Sequence, residues 1–575
     1  MRRALLTALV LVSALLLGTG WVGIRGWQAR NHLGNAVGLA RALAEQVLAG
    51  DTGQARRTLA ALQSQTAAAR SGTGDPGWWL GTRTPLVGDS LTAVRQVAVA
   101  VDDLARQVFP ELLGVDFGAL LPRADRVDLA ALRRAAPRLT EADGAVRAVR
   151  DRFRGTPSAD LLPQVRSAVT ELRRQIDLLS TLTSAARRGA ALLPTMLAAS
   201  GSRTYLLAFQ NLAEKRATGG MLGAYVTLRV SDGRVTVLRQ GNAIDLLVTG
   251  VVPVLPLDRA TRALYGDLIG IYPADVNLSP HFPTAATMYR EMYRRRFGVA
   301  VDGVLATDPV AVSYLLRATG PVPVRGAAPL AATTVVRTLL SDAYRFLPAS
   351  TQDAYYASSA RAVLDVLLSR TVDPRLLLPA LDQALTERRL LFWSAHPDEQ
   401  AAIAETRLAG ILPEREDTST VGVFLNDGSG AKLGYYLTHT AELTVGDCRP
   451  DGRRELRLRV TLGSTAPRSG LSPSVLGLRM AGNPYTARTL VNVFSPAGGS
   501  VLDARLDGAP VGVGGGTERG RRVAVATVDV PAGQARVLDV TLLTPVTTSG
   551  LADLRVTPGV QSWPTRITTA RTCDR

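Results

Sequence analysis

The chain has 575 residues, 46% of them hydrophobic, with 66 Lys and Arg against 49 Asp and Glu. This composition excludes a wholly disordered chain, a collagen-like chain and a disulfide scaffold, and the length predicts about three or four domains. Only Lys215 and Lys432 are lysines. Such an arginine skew is typical of a GC-rich genome, so it is weak evidence for nucleic-acid binding.

The N-terminus begins with Arg2 and Arg3, followed by an uncharged run of 21 residues, Ala4–Ile24. At 1.5 Å per residue a helix of this length spans a hydrocarbon core of about 30 Å. The run is longer than the apolar stretch of a cleavable signal peptide, which is the alternative, and no cleavage site follows it. We therefore predict a cytoplasmic stub and transmembrane signal anchor over residues 1–27, with the bulk of the chain extracytoplasmic at the cell membrane.

Residues 28–200 are predicted to form a helical stalk or bundle, because apolar residues recur there at three- and four-residue spacing. The three series are Leu33, Val37, Ala40, Ala44 and Val47; Val94, Val97, Val101, Leu104 and Val108; and Val165, Val169, Leu172 and Ile176. Residues 1–200 carry a net charge of +9, against +2 for 201–417 and +6 for 418–575. This surplus suits contact with anionic lipid headgroups at the membrane.

From Tyr205 the hydrophobic period changes, and alternating strands and helices predict a central α/β domain over residues 201–417. One of its helices is predicted over Leu376–Leu391. From residue 418 short strands separated by turn residues predict a C-terminal antiparallel β-sandwich, 418–575. The whole chain is thus predicted to be a multidomain α+β protein. Aromatic residues make up only 5% and no module concentrates the charge, so no nucleic-acid partner is expected.

The chain's two cysteines, Cys448 and Cys573, both fall in the strand-rich C-terminal region. A disulfide between them is expected in an oxidising compartment. Two buried free thiols are the alternative.

A candidate phosphate-binding loop follows the first central strand and carries Lys215, Arg216, Thr218, Gly219 and Gly220. Glycines let backbone N–H groups approach a phosphate, arginine donates to two of its oxygens, and lysine adds a point charge. The alternative is a simple connection between strands in which the preceding glutamate pairs with Arg216 and no ligand binds.

Several motifs occur in an order that resembles the bacterial envelope family called domain of unknown function 4012. They are AEKRATGG, VNLSPHFPTAA, VDGVLATDPVAVSYLLRATGPV, LLFWSAHPDEQ and NDGSGAKLGYYL. The resemblance runs from the anchor to the C-terminal β domain and implies a location in the cell envelope. The family's activity is by its name unknown.

Residues 203–325 are also similar, in their order of strands, loops and helices, to the LytR-CpsA-Psr phosphotransferases. These membrane-anchored extracytoplasmic enzymes move glycopolymers from a polyprenyl-pyrophosphate carrier onto peptidoglycan, with Mg²⁺. Arg216 matches the arginine of their first motif, but the aspartate of that motif is missing after it. Asp245 matches the aspartate of their second motif, and Arg239 is the candidate for the arginine that is missing there.

The phosphotransferase resemblance implies a set of roles in phosphoryl transfer. Lys215, Arg216 and Arg239 would neutralise the pyrophosphate, and Asp245 with Asp302 or Asp308 would hold Mg²⁺. The alternative is that Asp302 and Asp308 are ordinary turn and helix N-cap residues. Asn277 and Ser279 are expected to cap the helix that begins near residue 283.

Three functions follow from the sequence, the last of them an unrelated enzyme or a transporter accessory protein. The first is a membrane-anchored envelope protein that binds or transfers a polyprenyl-pyrophosphate-linked glycan precursor or another cell-wall polymer. The second is a non-enzymatic envelope scaffold or protein-interaction module. The incomplete motif leaves open whether the central domain is an enzyme.

Overall fold

A computed structural model describes residues 2–85, 87–122, 125–156, 161–369, 372–413, 418–547 and 549–571, and of residues 2–19 the backbone alone. Contacts divide the chain into two units. The first comprises Met1–Ser200 and Asp373–Arg375, and the second comprises Gly201–Val372 and Leu376–Arg575. Helices fill the first unit, and the second contains three sheets with helices, which confirms a mixed α+β chain with several domains.

The first unit is built from α-helices joined by short turns. They are α1 (Arg2–Ala49), α2 (Thr52–Gly72), α3 (Pro76–Gly81), α4 (Gly88–Asp103), α5 (Phe109–Leu113), α6 (Leu129–Arg154) and α7 (Pro163–Met196). A π-helical turn, Leu104–Val108, joins α4 to α5. Aspartates begin several of these helices: Asp51, Asp75 and Asp128 each accept hydrogen bonds from backbone N–H groups of the first turn.

The predicted apolar series of α4 and α7 face one core, in which Leu104, Val108, Val169 and Ile176 are buried together. The series predicted for α1 is wrong in its details. From residue 20 onward, where the side chains of α1 are described, the buried residues are Ala29, Ala36 and Leu43, seven residues apart, whereas Val37 is exposed. Small alanines on that face let α1 pack closely on α2, and spacing alone favoured the larger valine.

The predicted membrane span is Ala4–Ile24. Up to residue 19 its side chains lie outside the described part of the structure. Among helices whose side chains are described, none has the length and apolar character needed to cross a bilayer.

The central sheet of the second unit has the strand order β3-β2-β1-β4-β5. Its strands are β1 (Arg203–Arg216), β2 (Gly219–Ser231), β3 (Arg234–Asn242), β4 (Gly303–Thr307) and β5 (Leu391–Ser394). β1 and β4 are parallel, and the other neighbours are antiparallel. The helix predicted over Leu376–Leu391 is wrong at its end, because it stops at Thr386 and the chain then enters β5 beside β4.

Helices cover both faces of the central sheet. The helices of this part of the chain are α8 (Arg259–Tyr265), α9 (Leu268–Ile271), α10 (Phe282–Phe297), α11 (Pro309–Thr319), α12 (Val335–Arg337), α13 (Ala343–Phe346), α14 (Ala349–Ser369), α15 (Pro374–Thr386) and α16 (Pro397–Ala404). Successive strand residues point to opposite faces. Accordingly Leu206 of β1 packs in a core with α10, while Leu207 packs in another with α14.

The C-terminal part of the second unit contains two sheets and the short helix α17 (Pro473–Leu476). Its strands are β6 (Ser419–Asp427), β7 (Leu437–Cys448), β8 (Arg454–Ser464), β9 (Thr486–Phe494), β10 (Ser500–Leu506), β11 (Ala509–Pro510), β12 (Gly514–Glu518), β13 (Arg521–Pro531), β14 (Ala535–Leu543), β15 (Ala552–Val556) and β16 (Thr565–Thr568). The sheet orders are β11-β10-β14-β8-β7-β16 and β12-β13-β9-β6-β15. Both sheets contribute to one apolar core.

Candidate functional site

The predicted phosphate-binding loop is part of the β1–β2 hairpin, because β1 continues through Arg216 and β2 begins at Gly219. Lys215 pairs with Gly220 in the strand register, after an irregularity that begins at Asn211. A side chain at Gly220 would place its Cβ 2.0 Å from the Asn211 carbonyl oxygen. Gly220 therefore allows two backbones to approach closely inside the hairpin.

The tip of this hairpin is buried against the C-terminal sheets. Ala217 packs in a cluster with Phe424, Phe494 and Val523. The Thr557 hydroxyl donates to the Ala217 carbonyl at 3.0 Å. The hairpin tip thus connects the central sheet to the C-terminal sheets.

Arg216 is buried, and its guanidinium donates hydrogen bonds to groups of the protein itself. Its Nη2 lies 2.7 Å from the Asp275 carboxylate and 3.1 Å from that of Glu214. Its Nε donates to the Ala274 carbonyl and its Nη1 to that of Lys215. Burial disfavours the charged guanidinium, but Glu214 and Asp275 outweigh it and raise the pKa of Arg216.

Glu214 connects Arg216 to a second cation. Its other carboxylate oxygen lies 3.4 Å from Lys432 Nζ. Asp427 adds a negative charge near Arg216, and its own carboxylate accepts from the Ser429 hydroxyl and the Gly430 N–H. Burial raises the pKa of Asp427. Two cations and three carboxylates therefore meet here, so the site has no excess of positive charge for an anion.

Lys215 differs from its neighbour Arg216. It is 1% exposed, and its Nζ has no hydrogen-bond partner in the described part of the chain. Burial, reinforced by the positive charge of Arg389, lowers the pKa of Lys215 to about 7. The Lys215 stem also packs on Gly434, where a Cβ would lie 3.0 Å from its Cγ.

The surroundings of Lys215 include a buried ion pair and a neutral imidazole. Asp308 and Arg389 are 2.9 Å apart and both 2% exposed. His439 is stacked on Trp563, and burial together with Lys215 lowers its pKa to about 2. A Cβ at Gly559 would lie 2.5 Å from the His439 ring, so this packing leaves no room for even a methyl group.

The Thr218 hydroxyl is also engaged in hydrogen bonds within the protein. Its hydroxyl accepts from Gln210 Nε2 and from Asn277 Nδ2, each at 2.9 Å. Asn277 also donates to the Gly220 carbonyl, and the Ser279 hydroxyl donates to Glu518 at 2.6 Å. The prediction that Asn277 and Ser279 cap α10 is therefore wrong: they tie distant segments to the hairpin and to β12, while His281 precedes α10 without a side-chain capping bond.

The residues implied by the phosphotransferase resemblance are spread over separate local networks. The Arg239 guanidinium lies over the Phe297 ring, 4.3 Å from its centroid, and the Asp245 carboxylate accepts from the Asn242 N–H. Asp302 accepts from the Thr204 N–H and contacts Arg203 and His396. Asp308 caps α11, as its alternative interpretation predicts.

Among the described residues no three His, Cys, Asp or Glu side chains are placed to hold a metal ion. Asp245, Asp302 and Asp308 accordingly do not form such a group. Each accepts hydrogen bonds from backbone N–H groups near it.

An apolar cavity of about 40 Å³ lies between the central sheet and the helices on one of its faces. Its walls include Phe209 and Ala224 of the sheet, Val312 of α11, and Ala360 and Val363 of α14. A π-helical turn, Thr338–Asp342, contributes two leucines to the lining. Gln210, which also lines the cavity, hydrogen bonds to Thr218 and so links it to the hairpin.

Cys448 ends β7 and is disulfide-bonded. Its predicted partner, Cys573, lies outside the described residues.

Residues 200–344 match the model of a family described as "Protein of unknown function (DUF4012)". This segment of the chain is therefore similar to the DUF4012 family. The matched segment contains the hairpin, Asn277 and the aspartates discussed above, and it ends at Tyr344, whose hydroxyl accepts a short hydrogen bond from Asn211. No curated protein and no solved structure matches the chain.

The sequence analysis missed Asp275, the closest carboxylate to Arg216 and 59 positions away in the DUF4012 segment. It also missed Arg389 beside Asp308. Neither residue belongs to a local motif.

Proposed function

We propose that this protein is a membrane-anchored, extracytoplasmic envelope scaffold whose central domain is non-enzymatic. The observation that carries the proposal is the pairing of Arg216. Its guanidinium donates to two carboxylates and two backbone carbonyls, so a pyrophosphate would have to displace internal partners. Lys215, the second cation of the motif, is enclosed among packed side chains.

The connection between the two β-rich parts of the second unit supports a scaffold. The hairpin tip contacts the C-terminal sheets through Ala217 and Thr557, and Asn426 of β6 donates to the Leu278 carbonyl at 3.0 Å. Tyr265 and Ser279 both donate to Glu518 of β12 at 2.6 Å. These buried contacts link the central sheet to the C-terminal sheets, which is the arrangement that a scaffold presenting a binding surface uses.

The proposed location rests on the uncharged run Ala4–Ile24 and on the disulfide at Cys448. Disulfides persist in oxidising compartments outside the cytoplasm. We also propose that the domains of the protein include a helical stalk and a C-terminal β-sandwich.

The test is the thermal unfolding of the full chain with and without farnesyl pyrophosphate and Mg²⁺. A bound ligand at about 100 times its Kd stabilises a protein by about 2.7 kcal/mol. We expect no shift at millimolar ligand for the wild type. Asp275→Asn, which weakens the internal pairing of Arg216, should lower the melting temperature without creating a response to ligand. A ligand-dependent rise that disappears in Arg216→Ala would overturn the scaffold proposal.

The alternative function, the binding of a polyprenyl-pyrophosphate-linked glycan precursor, is not supported by the apolar cavity beneath α14. Sites for small organic ligands have volumes of about 300–1,000 Å³. This cavity has a volume of about 40 Å³, which is too small for a prenyl tail.

A further inference from the structure

The segment that follows β3 exposes large apolar side chains on the central domain. In residues 244–252, which we call the apolar loop, four such side chains face solvent. Their exposed fractions are 70% for Ile244, 36% for Leu247, 88% for Val251 and 67% for Val252. Isolated exposed apolar residues are common on proteins, but four within nine residues form a patch that calls for an explanation.

The apolar loop is held in place at both ends. Leu246 and Val254 are buried in the central core, and the Val254 N–H donates to the Gly270 carbonyl at 2.8 Å. Arg296 donates to the Asp245 carbonyl at 3.2 Å, and Arg295 donates to the Val254 carbonyl at 2.5 Å. The exposed side chains therefore project from a supported segment.

Four arginines, which we call the basic rim, lie at the end of α10 and on the neighbouring strand β3, and two of them contact the segment of the loop. They are Arg239, Arg294, Arg295 and Arg296, and all four are exposed. Arg239 and Arg296 lie over the Phe297 ring, at 4.3 Å and 5.9 Å from its centroid. The facing acids are Glu291, paired with Arg294 and Arg295, and Asp245, so the rim keeps a net positive charge.

We infer that the apolar loop inserts into the surface of an anionic membrane, with the basic rim on the lipid headgroups. An apolar tip beside a cluster of arginines has the charge pattern of interfacial membrane-binding elements. A folded protein partner would bury the tip equally well but would not require the neighbouring positive charge. The inference goes beyond the proposed scaffold function, because it gives the central domain a lipid contact independent of the N-terminal segment.

The experiment places an environment-sensitive dye on the apolar loop. The full chain with Val251→Cys is labelled at that thiol, since the native Cys448 is disulfide-bonded. It is reconstituted into nanodiscs of phosphatidylcholine alone or with phosphatidylglycerol added. We expect a blue shift of the dye emission in the anionic discs, reduced at high salt because salt screens the rim. Leu502→Cys, exposed on β10 beside Asp503, is the matched control and should show no shift.

The basic rim is tested with Arg239→Gln and Arg294→Gln, neither of which donates to the loop backbone. A basic residue near an anionic surface contributes about 1 kcal/mol, or about fivefold in binding. The double variant should therefore lose most of the shift. No shift in anionic discs, or an equal shift in neutral discs, would overturn the inference. Neither result affects the melting experiment with farnesyl pyrophosphate. The membrane inference and the scaffold proposal can therefore be overturned independently of each other.

Discussion

Two consecutive basic residues at the end of β1 have opposite environments, and the two regions around them behave differently. On one side Arg216 is buried among carboxylates and backbone carbonyls, and its pKa is raised. On the other side Lys215 is buried with no hydrogen-bond partner in the described ranges, and its pKa is lowered to about 7. The sequence predicts that these two cations bind one phosphate together. In the structure they lie on two different faces of β1.

This contrast shows that the protein uses its two cations in different ways. A buried charge that is paired and hydrogen-bonded holds segments together, whereas a buried unpaired amine loses its proton. Arg216 links the hairpin to the segment at Asp275. Lys215 has a pKa near physiological pH, so its amine is only partly protonated there, and its stem packs beside Gly434.

Arg216→Ala should produce the largest loss of stability. It is the strongest test of the buried ion pairs that Arg216 makes. Removing one partner leaves Glu214 and Asp275 as uncompensated charges in a buried site, which costs about 3–5 kcal/mol. Hydrogen exchange in urea, read on peptides covering β1 and β2, measures the change. Arg294→Ala, which removes an exposed ion pair with Glu291, should change stability by less than about 1 kcal/mol. Equal effects of the two variants would contradict the difference between buried and exposed pairs.

Lys215→Met should increase the stability of the protein, because it removes an amine that loses its contact with solvent on folding. The pKa of this lysine falls from its ordinary 10.5 to about 7 on folding. Between these pH values only the unfolded chain holds the proton, so wild-type stability should rise with pH from about 7 to 10.5. Below pH 7 the penalty is complete, and above 10.5 it vanishes.

At pH 7 we expect Lys215→Met to stabilise the second unit by about 4 kcal/mol, since one pKa unit corresponds to about 1.4 kcal/mol. The variant should also lose the rise in stability between pH 7 and 10.5. Unfolding midpoints in urea across that range measure both effects. Lys432→Met, at a half-buried lysine paired with Glu214, is the control. A destabilised Lys215→Met protein would mean that the amine has a partner in solution.

Gly220→Ala should have the smallest effect of the three and tests whether the hairpin holds both cations in place. The new Cβ would overlap the Asn211 carbonyl, and such overpacking costs about 1–3 kcal/mol. Because the hairpin must shift, hydrogen exchange should increase on both the Arg216 and the Lys215 sides. Gly144→Ala, in the middle of α6 with open space around it, should instead be neutral or stabilising. Faster exchange confined to one side would show that the two regions are independent.

The sequence by itself determined the mixed α+β composition of the chain, the change from helices to strands near residue 200, and its resemblance to the DUF4012 family. These follow from local information: hydrophobic period, turn residues and motifs that lie together along the chain. The N-cap role of Asp308 was also readable, because an aspartate before a proline and an apolar run is a local helix signal.

Only the tertiary structure decided what the candidate site residues contact. Asp275 reaches Arg216 across 59 positions, Arg389 reaches Asp308 across 81, and Thr557 reaches Ala217 across 340. Tertiary packing likewise turned the end of a predicted helix into β5, where Leu391 pairs with a residue of β4. The environment of a buried charge depends on groups brought together by folding rather than on its neighbours in the chain. For that reason the sequence predicted that Lys215 and Arg216 bind a phosphate. In the folded protein Arg216 pairs with carboxylates instead, and Lys215 is enclosed in the core.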